Sequence, residues 1–187
     1  MFYTYCSTLA TFNADITAWD TSSTTDMSLV FTSVSSFNQA IGGWDVSQVV
    51  DMYYAFSDST TFNADVSAWD TGKVTSLAGT FGNARAFNQA IGGWDVSQVE
   101  TLLASFKDAY SFDQSVDAWD VSKVTNIQQG LWGCSVFNQP LGSWDLSGLF
   151  AVSGNVNIYH LFANAFLFNQ PLDAWDVSNI VFGNNAF

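Results

Sequence analysis

A tryptophan followed directly by an aspartate recurs at fixed spacing along this chain of 187 residues. The first six pairs are each 25 residues apart, and the seventh follows after 31. The tryptophans are Trp19, Trp44, Trp69, Trp94, Trp119, Trp144 and Trp175. Because a unit of this length has too few apolar positions to bury them alone, we predict that the units stack and share one lengthwise core.

Other positions of the repeat are nearly as regular. A phenylalanine lies seven residues before each tryptophan, and an asparagine follows that phenylalanine in six units, with Asp113 in the fifth. The thirteen residues 37–49 recur unchanged at 87–99, so the copied block was two units long. The longer last interval predicts a six-residue insertion within about 150–162.

The pattern predicts an α/β repeat solenoid, leucine-rich-repeat-like and right-handed, with about seven 25-residue coils. Each tryptophan and the residue two positions later alternate with the aspartate, which indicates a short strand of a parallel sheet with the aspartate outward. Residues 46–56 have apolar side chains three and four positions apart, which predicts a short helix or 3-10 turn. We expect residues 1–187 to form a single solenoid domain. Neither end shows a polar cap, so we expect a fragment of a longer array or ends covered by neighbours.

Charge and motifs exclude several functions. Seventeen acidic residues against four basic ones give a net charge of −13, which repels nucleic acid and anionic membranes. The longest apolar run is too short for a membrane span. His160 is the only histidine, and neither a catalytic triad setting nor a glycine-rich phosphate loop is present. We therefore expect a protein that is not an enzyme.

The aspartates of the repeat are the first candidate binding surface. They form a file of like charges, and each needs something to offset the repulsion from its neighbours. One offset is an Asx turn, in which the carboxylate accepts hydrogen bonds from nearby backbone amides. Alternatives are a bound cation such as calcium, although no known calcium motif is present, a basic protein partner, and binding to ice or a mineral. The file comprises Asp20, Asp45, Asp70, Asp95, Asp120, Asp145 and Asp176.

The remaining columns and the insertion have separate interpretations. We predict that the asparagines stack as a ladder at a turn, bonding to backbone groups and to one another. We predict that the tryptophans point inward and fill the core, which leaves the outward face without an aromatic platform for sugars. The segment 151–162 breaks the repeat and is the second candidate binding site, with a solvated bulge as the alternative. Its candidate residues are Asn155, Asn157, Tyr159 and His160.

The repeat resembles that of BspA-like leucine-rich-repeat surface proteins, which are frequent among mycoplasma and listeria lipoproteins. The resemblance is carried by the Phe-Asn-Gln, Trp-Asp-Val-Ser and Val-x-x-Met-x-x-x-Phe elements, all present in residues 37–56. It implies a leucine-rich-repeat-like solenoid at the cell surface or outside the cell, with a role in adhesion or protein binding and no catalytic residues. The first residues show no signal peptide pattern. We expect a non-enzymatic scaffold for protein–protein interaction or adhesion, or alternatively a structural subunit packed through its ends in a larger complex or filament.

Overall fold

The structure, a computed structural model, describes residues 10–150, 158–176, 178 and 186–187. These residues contain two short 3-10 helices, Ile41–Gly43 and Ser147–Phe150, and neither an α-helix nor a β-strand. The prediction of a leucine-rich-repeat-like α/β solenoid, with a strand and a helix in each unit, is therefore wrong. No helix in the described part of the chain is long and apolar enough to cross a lipid bilayer.

Successive repeats are joined by backbone hydrogen bonds at every second residue. The Met27 amide donates to the carbonyl oxygen of Asp51 at 2.9 Å, and the Leu29 amide donates to that of Tyr53 at 2.8 Å. The Val30 amide, between these two, donates to the Met27 carbonyl oxygen at 3.3 Å and so closes a turn within its own repeat. A continuous ladder does not form, because every second amide donates to the neighbouring repeat and an amide between them donates within its own turn. Only isolated parallel bridges result, along the column Asp26, Asp51, Ser76, Thr101 and Asn126.

Left-handed backbone explains why the segment predicted as helical is not a helix. Two residues of each repeat have φ between 52° and 75° in this segment. A right-handed helix and an extended strand both require negative φ, so residues at this spacing interrupt either one. The first column is Leu29, Tyr54, Gly79, Ala104, Gln129 and His160, and the second is Ser33, Asp58, Asn83, Asp108, Gly133 and Asn164.

The segment predicted as a strand consists of tight turns. The Trp44 amide donates to the Ile41 carbonyl at 3.0 Å, and the Val49 amide donates to the Val46 carbonyl at 2.8 Å. Between these turns, the Ser47 amide donates to the side chain of Asp45. These amides are engaged within their own repeat, so they do not pair with the next one, and a parallel sheet does not form here.

Stacked aromatic rings fill the core. In the column that begins at Phe12, the ring centroids of successive phenylalanines are 5.9 to 6.1 Å apart. A second column packs against it, with Phe31 and Phe37 only 3.9 Å apart. The six tryptophans of the repeat column from Trp44 to Trp175 are buried, which confirms the prediction that they point inward. Trp19, in the first described repeat, is an exception at 48% exposure.

The repeats continue to stack after the insertion. Leu149 still closes the same local turn as Val124 in the preceding repeat. The register resumes shifted by six residues, since the Gln129 amide donates to the Tyr159 carbonyl at 3.0 Å and the Leu131 amide donates to that of Leu161 at 3.1 Å. The extra residues therefore lie between positions 149 and 159, within the region that the spacing predicts.

Candidate functional site

The seven repeat aspartates, here called the aspartate file, all lie exposed on the surface of the stack. In each one, Oδ1 accepts a hydrogen bond from the backbone amide two residues later, at 2.9 to 3.2 Å. This is the geometry of an Asx turn, and it confirms the prediction that the carboxylates are bonded locally. The turns also fix the carboxylates in one repeated orientation. The donors are Ser22, Ser47, Gly72, Ser97, Ser122, Ser147 and Ser178.

Hydrogen bonds from the serine two residues later stabilise the ionised form of five of these carboxylates. The Ser122 hydroxyl donates to Asp120 Oδ1 at 2.6 Å and the Ser122 amide donates to the same oxygen at 3.1 Å. Both bonds stabilise the charged form, so they lower the pKa of Asp120 below its usual 3.8. The serine two residues later lowers the pKa in the same way at Asp20, Asp45, Asp95 and Asp176.

Neighbouring carboxylates of the file repel one another. The charge of Asp20 raises the pKa of Asp45, and the charge of Asp120 raises that of Asp95, but in both cases the hydrogen bonds from serine outweigh this effect. Lys123 partly offsets the charge by lowering the pKa of Asp120. Carboxylates of neighbouring repeats thus repel one another, and this arrangement favours a cationic binding partner.

A preformed metal cage is absent from the part of the chain that the structure describes. No group of three or more histidine, cysteine, aspartate or glutamate side chains there is arranged to hold a metal ion. Calcium prefers six to eight oxygen ligands, and the file provides its carboxylates one per repeat. Calcium bridging between repeats stays a prediction.

The asparagine column forms the predicted ladder. Oδ1 of Asn38 accepts the Asn63 amide of the next repeat at 2.8 Å, and Oδ1 of Asn63 accepts that of Asn88 at 2.8 Å. Asp113 takes the same place in the fifth repeat, with its Oδ1 accepting the Asn138 amide at 2.9 Å. These side chains are used in joining repeats, so we assign them a structural role.

The insertion contributes two described candidates. Asn155 and Asn157 lie outside the described residues. Tyr159 and His160 are half-buried, and the His160 ring stacks on Trp132 with their centroids 4.8 Å apart. The His160 Nδ1 atom is buried without a hydrogen-bond partner. The imidazole is therefore held in an aromatic stack, and the structure brings neither residue together with the aspartate file.

The sequence reasoning missed a groove at the left-handed turns. We call it the turn-edge groove. It has a volume of ≈ 390 Å³ and is separate from a cleft of ≈ 520 Å³ beside His160. The second left-handed column could have indicated this edge, since Asp, Asn and Gly tolerate positive φ better than other residues. The groove is lined by Tyr54, Ser57, Asp58, Gly82, Asn83, Arg85, Ala104, Lys107, Asp108, Tyr110 and Gln129.

Comparison with known proteins identifies one family. The family model described as "Mycoplasma protein of unknown function, DUF285" matches residues 1–115, 65–157 and 90–187. The matched ranges overlap and together cover the whole printed sequence, as expected when both the model and the chain are built from repeats. No curated protein and no solved structure matches the chain.

Proposed function

We propose that this chain, which belongs to the DUF285 family, is a non-enzymatic repeat scaffold that binds a basic protein partner through the aspartate file. The observation that carries the proposal is the repeated Asx turn, which holds an exposed carboxylate in the same orientation in every repeat. A fixed acceptor pays little ordering entropy when it meets a cationic side chain. The file is therefore preorganised for lysine or arginine.

Charge across the whole chain supports the same partner. The net charge is −13, and only four basic side chains oppose seventeen acidic ones. Such a potential attracts a basic protein from a distance and speeds the encounter, most strongly at low salt. Adhesion at a cell surface, which the BspA-like resemblance implies, is a setting in which a long repeated surface of this kind would serve.

The insertion is a second contact surface in this proposal. His160 follows the inserted residues and lines a cleft of ≈ 520 Å³ together with Phe166 and Phe187. Loops that interrupt a regular stack commonly carry binding contacts, because they vary without disturbing the core. A partner that spans several repeats would reach both surfaces only if they face the same side.

A structural subunit is the second candidate function. Phe166 is 78% exposed, and Leu167 and Phe187 are also exposed in the last described repeats. Phe162, one repeat before Phe187 in its column, is buried and stacks on it at 5.5 Å. Packing of a neighbouring subunit against this apolar surface would continue the column. Sedimentation velocity tests this candidate, since oligomers that grow with concentration favour it and a monomer at every concentration opposes it.

The test of the basic partner uses a fluorescent decalysine peptide as the probe. We compare the wild-type chain with a variant in which Asp45, Asp70, Asp95 and Asp120 are changed to asparagine. Asparagine keeps the Oδ1 acceptor of the Asx turn and removes only the charge. We expect the peptide to bind the variant about tenfold more weakly or worse, since several close charge pairs are lost.

A control variant separates the file from net charge. It removes the same number of charges elsewhere, by Asp15→Asn, Asp65→Asn, Glu100→Gln and Asp173→Asn, all at exposed positions. We expect this variant to weaken peptide binding by less than about threefold, through long-range potential alone. Equal losses in the two variants would show that the peptide senses net charge and would refute a role for the file.

A further inference from the structure

We propose that the turn-edge groove is a binding site for a neutral saccharide, separate from the aspartate file. The groove crosses several adjacent repeats on the edge formed by the left-handed turns. Its volume of ≈ 390 Å³ lies in the range of small-molecule sites. The proposal rests on its shape, its rigid polar groups, its charge balance and its aromatic rings.

One glycine leaves a gap in the groove wall, and another lets a tyrosine of the groove lie close to the backbone. Gly79 has φ +63°, and the ring of Tyr54 from the preceding repeat lies directly over it, 2.7 Å from where a Cβ atom would be. Gly82 forms part of the groove wall and has no side chain to fill it. The larger side chains of Tyr54 and Lys107, in the repeats on either side, therefore border a hollow.

Hydrogen bonds hold the polar groups of the groove in place. The Asn83 side-chain amide donates to Asp58 Oδ1, and the Ser57 hydroxyl donates to Asp58 Oδ2 at 3.2 Å. Asn83 in turn accepts a hydrogen bond from Arg85 Nε at 2.8 Å. This chain of bonds joins two repeats and fixes donors and acceptors before a ligand arrives, which lowers the entropy lost on binding.

The charge of the groove balances, unlike that of the rest of the surface. Arg85 and Lys107, two of the four basic residues of the chain, line it together with Asp58 and Asp108. An anionic ligand would meet two carboxylates, and a cationic ligand would meet two cations. A neutral ligand with many hydroxyl groups avoids both repulsions, and it can donate to the carboxylates while accepting from the cations.

Aromatic rings provide the apolar contact that a sugar ring requires. The Arg85 guanidinium lies over one face of the Tyr110 ring, 5.4 Å from the centroid. Tyr110 is still 41% exposed, so part of its side chain is accessible to a sugar. Just beyond the groove, Lys107 Nζ lies 4.5 Å from the centroid of the Trp132 ring. Tyrosine combines an apolar face with a polar hydroxyl, so it suits the alternating C–H and O–H groups of a saccharide.

The experiment titrates the ¹⁵N-labelled full chain with three neutral disaccharides, cellobiose, lactose and N,N′-diacetylchitobiose, and follows it by NMR. The Asn83 and Gln129 side-chain amides and the Arg85 Nε–H signal report on the groove directly. We expect at least one sugar to shift these signals in a saturable way. Tyr110→Ala should weaken that binding roughly tenfold through loss of the ring contact, and Asp108→Asn should weaken it by removing a charged acceptor.

Trp19→Ala is the matched control, because Trp19 is exposed to a similar extent, 48%, and neither it nor Trp44, on which it stacks, lines the groove. It should leave sugar binding within about twofold, as surface changes usually do. Binding should also be indifferent to salt, which separates it from binding at the aspartate file. The proposal is wrong if no sugar shifts the groove signals, if Trp19→Ala weakens binding as much as Tyr110→Ala, or if only the decalysine peptide moves these signals.

Discussion

The indole Nε1 of Trp119 donates a hydrogen bond of 3.1 Å to the backbone carbonyl oxygen of Ile91 in the preceding repeat. The same bond recurs for every buried tryptophan of the repeat column, from Trp44 to Trp175. The Ile91 carbonyl also accepts the Trp94 amide at 3.0 Å, so the indole is its second donor. A buried indole N–H without an acceptor is costly, and this bond lets the tryptophan fill the core while joining two repeats. This explains why the position is always tryptophan and never another large apolar residue.

Trp119→Phe should destabilise the protein by about 2–4 kcal/mol, because it removes the indole donor from a buried carbonyl and leaves a cavity. Urea unfolding measures the change. Trp19→Phe is the control at an exposed ring of the same column, and it should lower stability by less than about 1 kcal/mol. Equal losses at the two positions would contradict the role assigned to the buried bond.

Replacing Asn63 tests the asparagine ladder. Its Oδ1 accepts the Asn88 amide at 2.8 Å and the Gln89 side chain at 2.9 Å. Asn63→Ala should lower the free energy of unfolding by about 1–3 kcal/mol, since the donors lose their acceptor. Asn63→Asp keeps the acceptor, as Asp113 does naturally, and should retain most of the stability at neutral pH. Chemical denaturation that ranks the aspartate variant with the alanine variant would oppose this account.

The Asx turn at Asp120 predicts a specific titration. Its folded-state pKa lies below the unfolded value of 3.8, chiefly because of the Ser122 hydroxyl bond. The stabilising contribution of this carboxylate is therefore present above pH 3.8 and is lost as the pH falls through the folded-state pKa. In a carboxyl-detected NMR titration, Ser122→Ala should raise the pKa of Asp120, while Ser122→Thr should keep it low. An unchanged pKa in the alanine variant would show that the hydroxyl has no such effect.

Alanine substitutions at two glycines distinguish a position with left-handed backbone from one without it. Gly79→Ala should destabilise the protein by at least about 1 kcal/mol, because φ is +63° and the added methyl group would strike the Tyr54 ring. Gly93→Ala places the methyl group in open space. It should be neutral or stabilising by up to about 1 kcal/mol, through the unfolded state. Thermal unfolding compares the two variants, and the reverse order would contradict the left-handed turn.

The repeat and its core were predictable from the sequence, because the period and the identity of the aromatic residues reveal which side chains meet. Phe37 and Trp44 lie where the pattern puts them, and the asparagine ladder follows from the column of amides. The Asx turns were predictable as well, since aspartate followed by serine two residues later is typical of them.

Secondary structure was not predictable in the same way. Apolar residues three and four positions apart, as in 46–56, fit an α-helix and also a run of turns that buries the same side chains. The choice depends on φ at residues such as Tyr54 and Asp58, which is positive in this structure. The turn-edge groove depends on those turns, so the sequence could indicate its edge, through the column of Asp, Asn and Gly residues, but not its shape.

The most direct test of the proposed function measures how salt changes the affinity of the decalysine peptide for the wild-type chain and for the file variant with asparagine at Asp45, Asp70, Asp95 and Asp120. Between about 50 and 500 mM NaCl we expect the wild-type dissociation constant to rise at least about tenfold, because screening weakens exposed charge pairs. The file variant should show a clearly shallower dependence. Identical dependence in the two proteins would contradict the claim that the aspartate file binds basic partners.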